Sequence, residues 1–162
     1  MTWQPEIDDI LRRRALAEAC GGEAAVAKHH AAGKLTVRER IDRLLDAIVR
    51  DAAALSNTTF LFVGDGPAAA RIEATKAAHP DVDLRHTGWS DQPDLYLAAA
   101  DVLLMPSRWE GLPLVMLEAM TVPLPLLAST IDVFAAYLPP ANLVDFETAS
   151  LAEAIARVMA WR

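Results

Sequence analysis

The chain has 162 residues, 53% of them hydrophobic, and a formal charge of −7. That length allows one domain with a real core but not two large ones, and no apolar run is long enough for a transmembrane segment, so a soluble globular protein is expected. The charge is uneven: residues 1–50 hold nine Lys/Arg against eight Asp/Glu and the remainder six against fourteen, an acidic body that excludes nucleic acid as the natural partner.

The opening Met-Thr-Trp-Gln-Pro-Glu-Ile-Asp-Asp lacks the basic-then-apolar order of a secretory signal, which predicts a cytoplasmic protein. A single cysteine, Cys20, leaves no internal disulfide and suits a reducing compartment; packing on a helix face is the role expected of it. Residues 6–28 read as helical, with Asp8 or Asp9 opening the run and Cys20-Gly21-Gly22 ending it before a second helix from Glu23 to about Gly33. Arg12-Arg13-Arg14 is a solvated face or a partner contact. His29 and His30 diverge by about 100° on a helix, so they do not chelate one metal together. Thr36 with Glu39 three residues later spells a capping box for a helix through Ile41, Leu44, Leu45, Ile48 and Val49.

Trp3-Gln4-Pro5-Glu6, Gly21-Gly22-Glu23, His30 and the run Gly33-Lys34-Leu35-Thr36-Val37-Arg38-Glu39-Arg40-Ile41-Asp42-Arg43-Leu44-Leu45-Asp46 resemble the amino-terminal arm of acyl-CoA carboxylase carboxyltransferase (beta) subunits. The resemblance covers residues 1–46 and implies a helical arm. In that family the arm precedes a crotonase-like body that binds acyl-CoA, and none of that body follows here, so the arm comes without the chemistry.

Residues 58–63 form an unbroken β-rich run that ends at Gly64-Asp65-Gly66-Pro67, a strand-to-helix turn whose glycines let backbone approach a ligand; a simple tight turn explains it equally. An alanine-rich helix follows over 68–78. Asp81-Val82-Asp83 has the spelling of a metal-binding acid pair, but it follows His79-Pro80 and leads into a short strand at 82–86, so a turn fits better. Trp89 either plugs a loop or borders a ligand. A short helix over 93–100 delivers the chain to the next strand.

The stretch from Asp101 to Met120 carries the most information. Residues 102–105 are a short apolar run stopped by Pro106, as in a strand buried on both faces. Gly111 and Pro113 turn the chain into a helix whose Leu112, Leu114, Val115, Met116, Leu117 and Met120 cover most of its circumference. Glu118 is left alone among apolar neighbours, and a lone buried carboxylate is costly. It either faces a wet cleft, where ribose hydroxyls are suitable donors, or occupies a narrow solvated stripe. Glu110 lies near free N–H groups at the helix start, a ready phosphate site, or merely complements the helix dipole. Further strands at 124–129 and 142–144 and a last helix over 151–159, capped by Ser150, complete an alternation of strands and helices. That order predicts an α/β fold with a partial doubly wound parallel sheet and right-handed crossovers, behind a helical arm.

Pro106-Ser107-Arg108-Trp109-Glu110-Gly111-Leu112-Pro113, followed by Glu118-Ala119-Met120, resembles the signature of family-4 glycosyltransferases with the GT-B fold, and Val63-Gly64-Asp65-Gly66-Pro67 resembles a turn of the same enzymes. The resemblance covers residues 47–162 and implies the Rossmann-like donor half of that fold. It implies a uridine- or guanosine-diphosphate sugar as donor, an unidentified acceptor, retention of anomeric configuration, and neither cofactor nor essential metal. Glu118 is implied to hold ribose and Glu110 to act as the catalytic contact to the donor sugar. Gly64, Gly66, Arg108, Gly111 and Leu112 complete the implied donor-binding set.

Pro123 stands where the family has glycine, and Phe134 and Tyr137 are bulky for a loop that approaches the ligand. The family's upstream Arg and Lys, which neutralise the leaving diphosphate, have no counterpart in the motif, leaving Arg108 as the nearby cation. The sequence thus points to a donor-binding half-enzyme. Its alternatives are a carboxyltransferase fragment and a non-catalytic protein that docks a partner through residues 1–46.

Overall fold

The structure, a computed structural model, describes residues 2–160. Helix α1 (Gln4–Glu18) has a proline in its first turn, where a missing N–H costs nothing. Its charges pair along the helix: Asp9 lies 2.6 Å from both Arg12 and Arg13, and Arg14 lies 3.1 Å from Glu18. None of its residues is buried, so these are weak, solvated pairs. Cys20, Gly21 and Gly22 then take φ values of 54°, 88° and 86°. Cys20 therefore sits in the left-handed turn between helices and not, as expected, on a helix face. At Gly21 a Cβ would lie 2.9 Å from that of Ala25, so only glycine fits.

Helix α2 (Glu23–Ala31) leads to α3 (Val37–Arg50), whose capping box is complete. The Glu39 N–H donates to Thr36 Oγ1 at 3.3 Å, and the Thr36 N–H donates to Glu39 Oε2 at 2.7 Å. The Thr36 backbone bond, with the His30 ring 2.9 Å away, lowers the Glu39 pKa from the ordinary 4.5 to about 2. The Arg38 guanidinium also donates to the Glu18 carbonyl, tying α1 to α3. Downstream, Leu44, Leu45, Ala47 and Ile48 are buried, so one unbroken helix runs from the arm into the core.

The remaining order is β1 (Thr59–Phe62), α4 (Ala69–Ala78), β2 (Asp83–His86), α5 (Pro93–Ala99), β3 (Leu103–Met105), α6 (Leu114–Thr121), β4 (Leu126–Ser129), α7 (Asp132–Tyr137), β5 (Leu143–Val144) and α8 (Leu151–Met159). The strands form two parallel sheets, β1-β2 and β3-β4-β5. The doubly wound order places its first strand at the centre, between its second and fourth. Here the residues ahead of α3 form α2, not a strand, and the strands fall into two separate sheets.

β4 is buried along its whole length and feeds two cores by alternation. Leu127 joins Leu45, Ile48, Phe60, Leu84 and Val158 on the side of α3, α4 and α8, while Leu126 and Ala128 join Met105, Met116 and Phe134 on the side of α6 and α7. β1 and β2 bury only alternate residues: Phe60 and Leu84 face the first core, whereas Thr59, Leu61, Asp83 and Arg85 are exposed.

Helix α8 is held by an acid at its start. Asp51, at the end of α3, accepts from Ser150 Oγ at 2.8 Å and from the Ala152 N–H at 3.0 Å, and Ser150 caps α8 by accepting from the Glu153 N–H. Burial pushes the Asp51 carboxyl up, but the Ala152, Ser150 and Leu151 hydrogen bonds outweigh it and hold the pKa below the ordinary value. A carboxylate at a helix N-terminus also meets a favourable dipole. No described helix is long and apolar enough to cross a membrane.

Candidate functional site

The carboxyl ends of β3, β4 and β5 open on a cavity of about 300 Å³, where parallel α/β sheets place their ligands. Pro106 and Arg108 follow β3, Ser129 to Ile131 end β4, and Asp145 to Glu147 follow β5. The fourth wall belongs to the arm: Gly33, Leu35, Arg40 and Arg43. Arg40 Nη1 donates to Ser107 Oγ at 3.1 Å, fixing α3 against the loop after β3. The Arg40 Nε is buried without a hydrogen-bond partner among the described residues.

Arg108 Nη1 lies 2.9 Å from Glu147 Oε1. The Asp145 pKa is lowered, first by the Thr148 hydroxyl and the Glu147 N–H, with the Arg108 charge adding to them. The wall therefore carries three guanidiniums, of Arg40, Arg43 and Arg108, against two carboxylates. Arg43 makes no ion pair or hydrogen bond among the described residues. Arg108 is not the only cation at this cavity, because α3 also delivers Arg40 and Arg43 to it. Beside it a second cleft runs between the arm and Trp109, with Lys34 Nζ 4.4 Å from the indole centroid, a cation–π contact that seats the arm on the loop.

Among the sequence-derived residues, Arg108 alone lines the first cavity. Glu110 is half-buried, and Gly111 and Leu112 are exposed next to it, at the turn into α6. Glu118 is exposed on α6 and lines neither cavity. Apolar crowding does not force it into a crevice, because its neighbours Leu114, Leu117 and Met120 are themselves exposed and only Met116 and Ala119 pack inward. Gly64 and Gly66 lie elsewhere, at the end of β1, where Gly64 has φ 125° and donates to the Gly88 carbonyl at 2.8 Å.

Several neighbouring residues sit differently from expectation. Phe134 is fully buried under α7 and Tyr137 is exposed, so neither fills the cavity. Trp89 is 81% exposed and plugs no loop. Asp83 accepts from Thr59 Oγ1 and from Arg85, holding the edge of β2. His30 turns to Glu39, while His29 borders the second cleft.

The fold is that of a Rossmann-like half-domain with a cavity at the carboxyl ends of its strands. Residues 29–160 match the family described as glycosyl transferases group 1, and the chain belongs to that family. It is similar to the lipopolysaccharide glucosyltransferase WaaG of Escherichia coli K12, 34% identical over 107 residues, which cover 65% of this chain and 28% of that protein. The crystal structure of WaaG, titled a glycosyltransferase involved in lipopolysaccharide biosynthesis, superposes with a TM-score of 0.56 at 26% identity, covering 75% of this chain and 36% of that one. An Escherichia coli UDP-Gal:alpha-D-GlcNAc-diphosphoundecaprenol alpha-1,3-galactosyltransferase is 32% identical over 80 residues, 48% of this chain and 21% of that protein. The propionyl-CoA carboxylase beta chain of Saccharopolyspora erythraea is 56% identical over 41 residues, 25% of this chain and 8% of that one. The chain thus spans about a quarter of the length of the glycosyltransferases it matches.

Proposed function

We propose that this chain binds a nucleotide-diphosphate sugar as the donor half of a glycosyltransferase acting with retention of anomeric configuration. The observation that carries the reading is the arginine-bearing cavity at the carboxyl ends of β3, β4 and β5, bordered by the loop that holds Arg108 and Glu110. Glycosyl transfer builds negative charge on the departing diphosphate, and preorganised cations stabilise such charge more than any other single device. By the resemblance of residues 106–120, Glu110 is assigned the donor sugar with the Gly111 and Leu112 amides, and Glu118 the ribose hydroxyls, outside the lining of the cavity. The acceptor is unassigned, and no cofactor or metal enters the scheme.

Calorimetric titration of uridine- and guanosine-diphosphate sugars into the full chain tests this. Saturable binding that Glu118→Ala weakens about tenfold is the expected result, the loss of hydrogen bonds to a charged acceptor. Equal affinity in the two proteins removes the ribose role, and failure of every nucleotide sugar to bind removes the donor reading.

A second reading, partner docking through the arm, rests on α1, whose Ile7, Ile10, Leu11 and Leu16 are exposed. Its test is a pull-down with residues 1–22 deleted: an unchanged partner set rejects it.

A further inference from the structure

Resting on the donor reading, but concerning residues outside its signature, we propose that Arg40 and Arg43 of α3 form the phosphate-binding wall of the cavity. They would hold a diphosphate group between α3 and the carboxyl ends of the strands. Three observations converge. Both side chains line a cavity of about 300 Å³, a volume suited to a small polar group rather than a bulky acceptor. Arg40 is already held at one guanidinium nitrogen by Ser107 while its buried Nε donates to nothing described. That Nε is closed to an oxygen of water's size, so what Arg40 offers a ligand is its Nη2, which no described contact takes up.

The third observation is the charge distribution. Arg108 is neutralised by Glu147 at 2.9 Å, so it adds little to the attraction of an anion. Arg43 has no such partner among the described residues, and it projects from α3 one turn beyond Arg40. With Asp145 also on the lining, the two arginines leave the cavity one net positive charge, and Thr130 at the end of β4 lines it too. Guanidinium groups recognise phosphate oxygens by paired N–H donors. The segment that brings them resembles a carboxyltransferase arm and lies upstream of the glycosyltransferase-like motif at residues 106–120, within the 29–160 family match.

Inorganic pyrophosphate and a uridine- and a guanosine-diphosphate sugar, titrated separately into the full-length chain at low and moderate salt, test the assignment with Arg43→Gln, Arg43→Lys and Arg40→Lys. Arg43 is exposed, so its replacement leaves folding intact; unchanged thermal unfolding confirms this. The expected result is pyrophosphate binding that salt weakens, that Arg43→Gln weakens about tenfold or more, and that Arg43→Lys partly restores. Arg40→Lys, which keeps the charge but removes the guanidinium fork, is expected to weaken it as well. If pyrophosphate binds in this way while nucleotide sugars bind no better, the phosphate wall stands and the donor reading falls. If nucleotide sugars bind but Arg43→Gln and Arg40→Lys leave every affinity unchanged, the donor reading stands and this assignment is overturned. Absence of pyrophosphate binding at low salt also overturns it.

Discussion

The two sheets are built from similar sequence, short apolar strands followed by a glycine- or proline-bearing turn, yet they end differently. β3-β4-β5 is packed on both faces, and its carboxyl ends converge on a cavity. β1-β2 is packed on one face and presents Thr59, Leu61, Asp83 and Arg85 to solvent on the other. Its Gly64–Gly66 turn faces neither of the two cavities. A strand-to-helix turn therefore becomes a ligand wall only where helices on both sides bring loops together above the strand ends; the turn motif alone does not make the site.

If coverage is what separates the sheets, truncation should separate them too. Leu127→Ala, in the fully buried centre of β4, is expected to cost about 3–5 kcal/mol in urea unfolding. Leu61→Ala, 44% exposed on β1, is expected to cost less than about 1 kcal/mol. Equal losses at the two positions would erase the distinction.

The join between α3 and α8 supports the packed side. Asp51→Ala removes the acceptor for Ser150 and Ala152 and is expected to destabilise by about 1–3 kcal/mol. A loss below half a kilocalorie, within the error of chemical denaturation, would show that α8 docks through its apolar face without this anchor.

The smallest effect belongs to the arm. The folded-state pKa of Glu39 is depressed, so the stability it contributes is present above pH 4.5 and is lost as pH falls toward about 2. The side chain is 37% exposed, which screens the charge and limits the contribution to about 1 kcal/mol. Glu39→Gln keeps the cap's acceptor but removes the charge, so the gap between wild type and variant should shrink over that window in pH-dependent melts. A gap that stays constant from pH 5 to 2 would mean that the carboxylate charge contributes nothing.

Local signals were the legible ones. Thr36 with Glu39, Ser150 before the last helix and the apolar run at 102–105 each announce an element through contacts within a few residues, and the structure has those elements where the sequence puts them. Helix α2 is legible but the division into β1-β2 and β3-β4-β5 is not, because strand pairing is non-local and leaves no mark within one segment. Arg40 and Arg43 carry no signal of their own in the sequence, since the loop that Arg40 meets lies 67 residues away at Ser107. Glu118 was read from helical crowding, but periodicity does not say which apolar residues find partners; on α6 most of them do not. Phe134 was read as loop bulk because a six-residue helix is too short to show a period.

The continuity of α3 sets how the cavity can behave. Arg40 and the buried Ile48 sit on one uninterrupted helix, about 12 Å apart at 1.5 Å per residue, with no glycine or proline between them to act as a joint. A swing of the helix that drew the Arg40 guanidinium away from Ser107 would have to lever Ile48 out of its packing. The arm wall is thus a socket, not a jaw: the Arg40 charge stands in position before anything arrives to meet it.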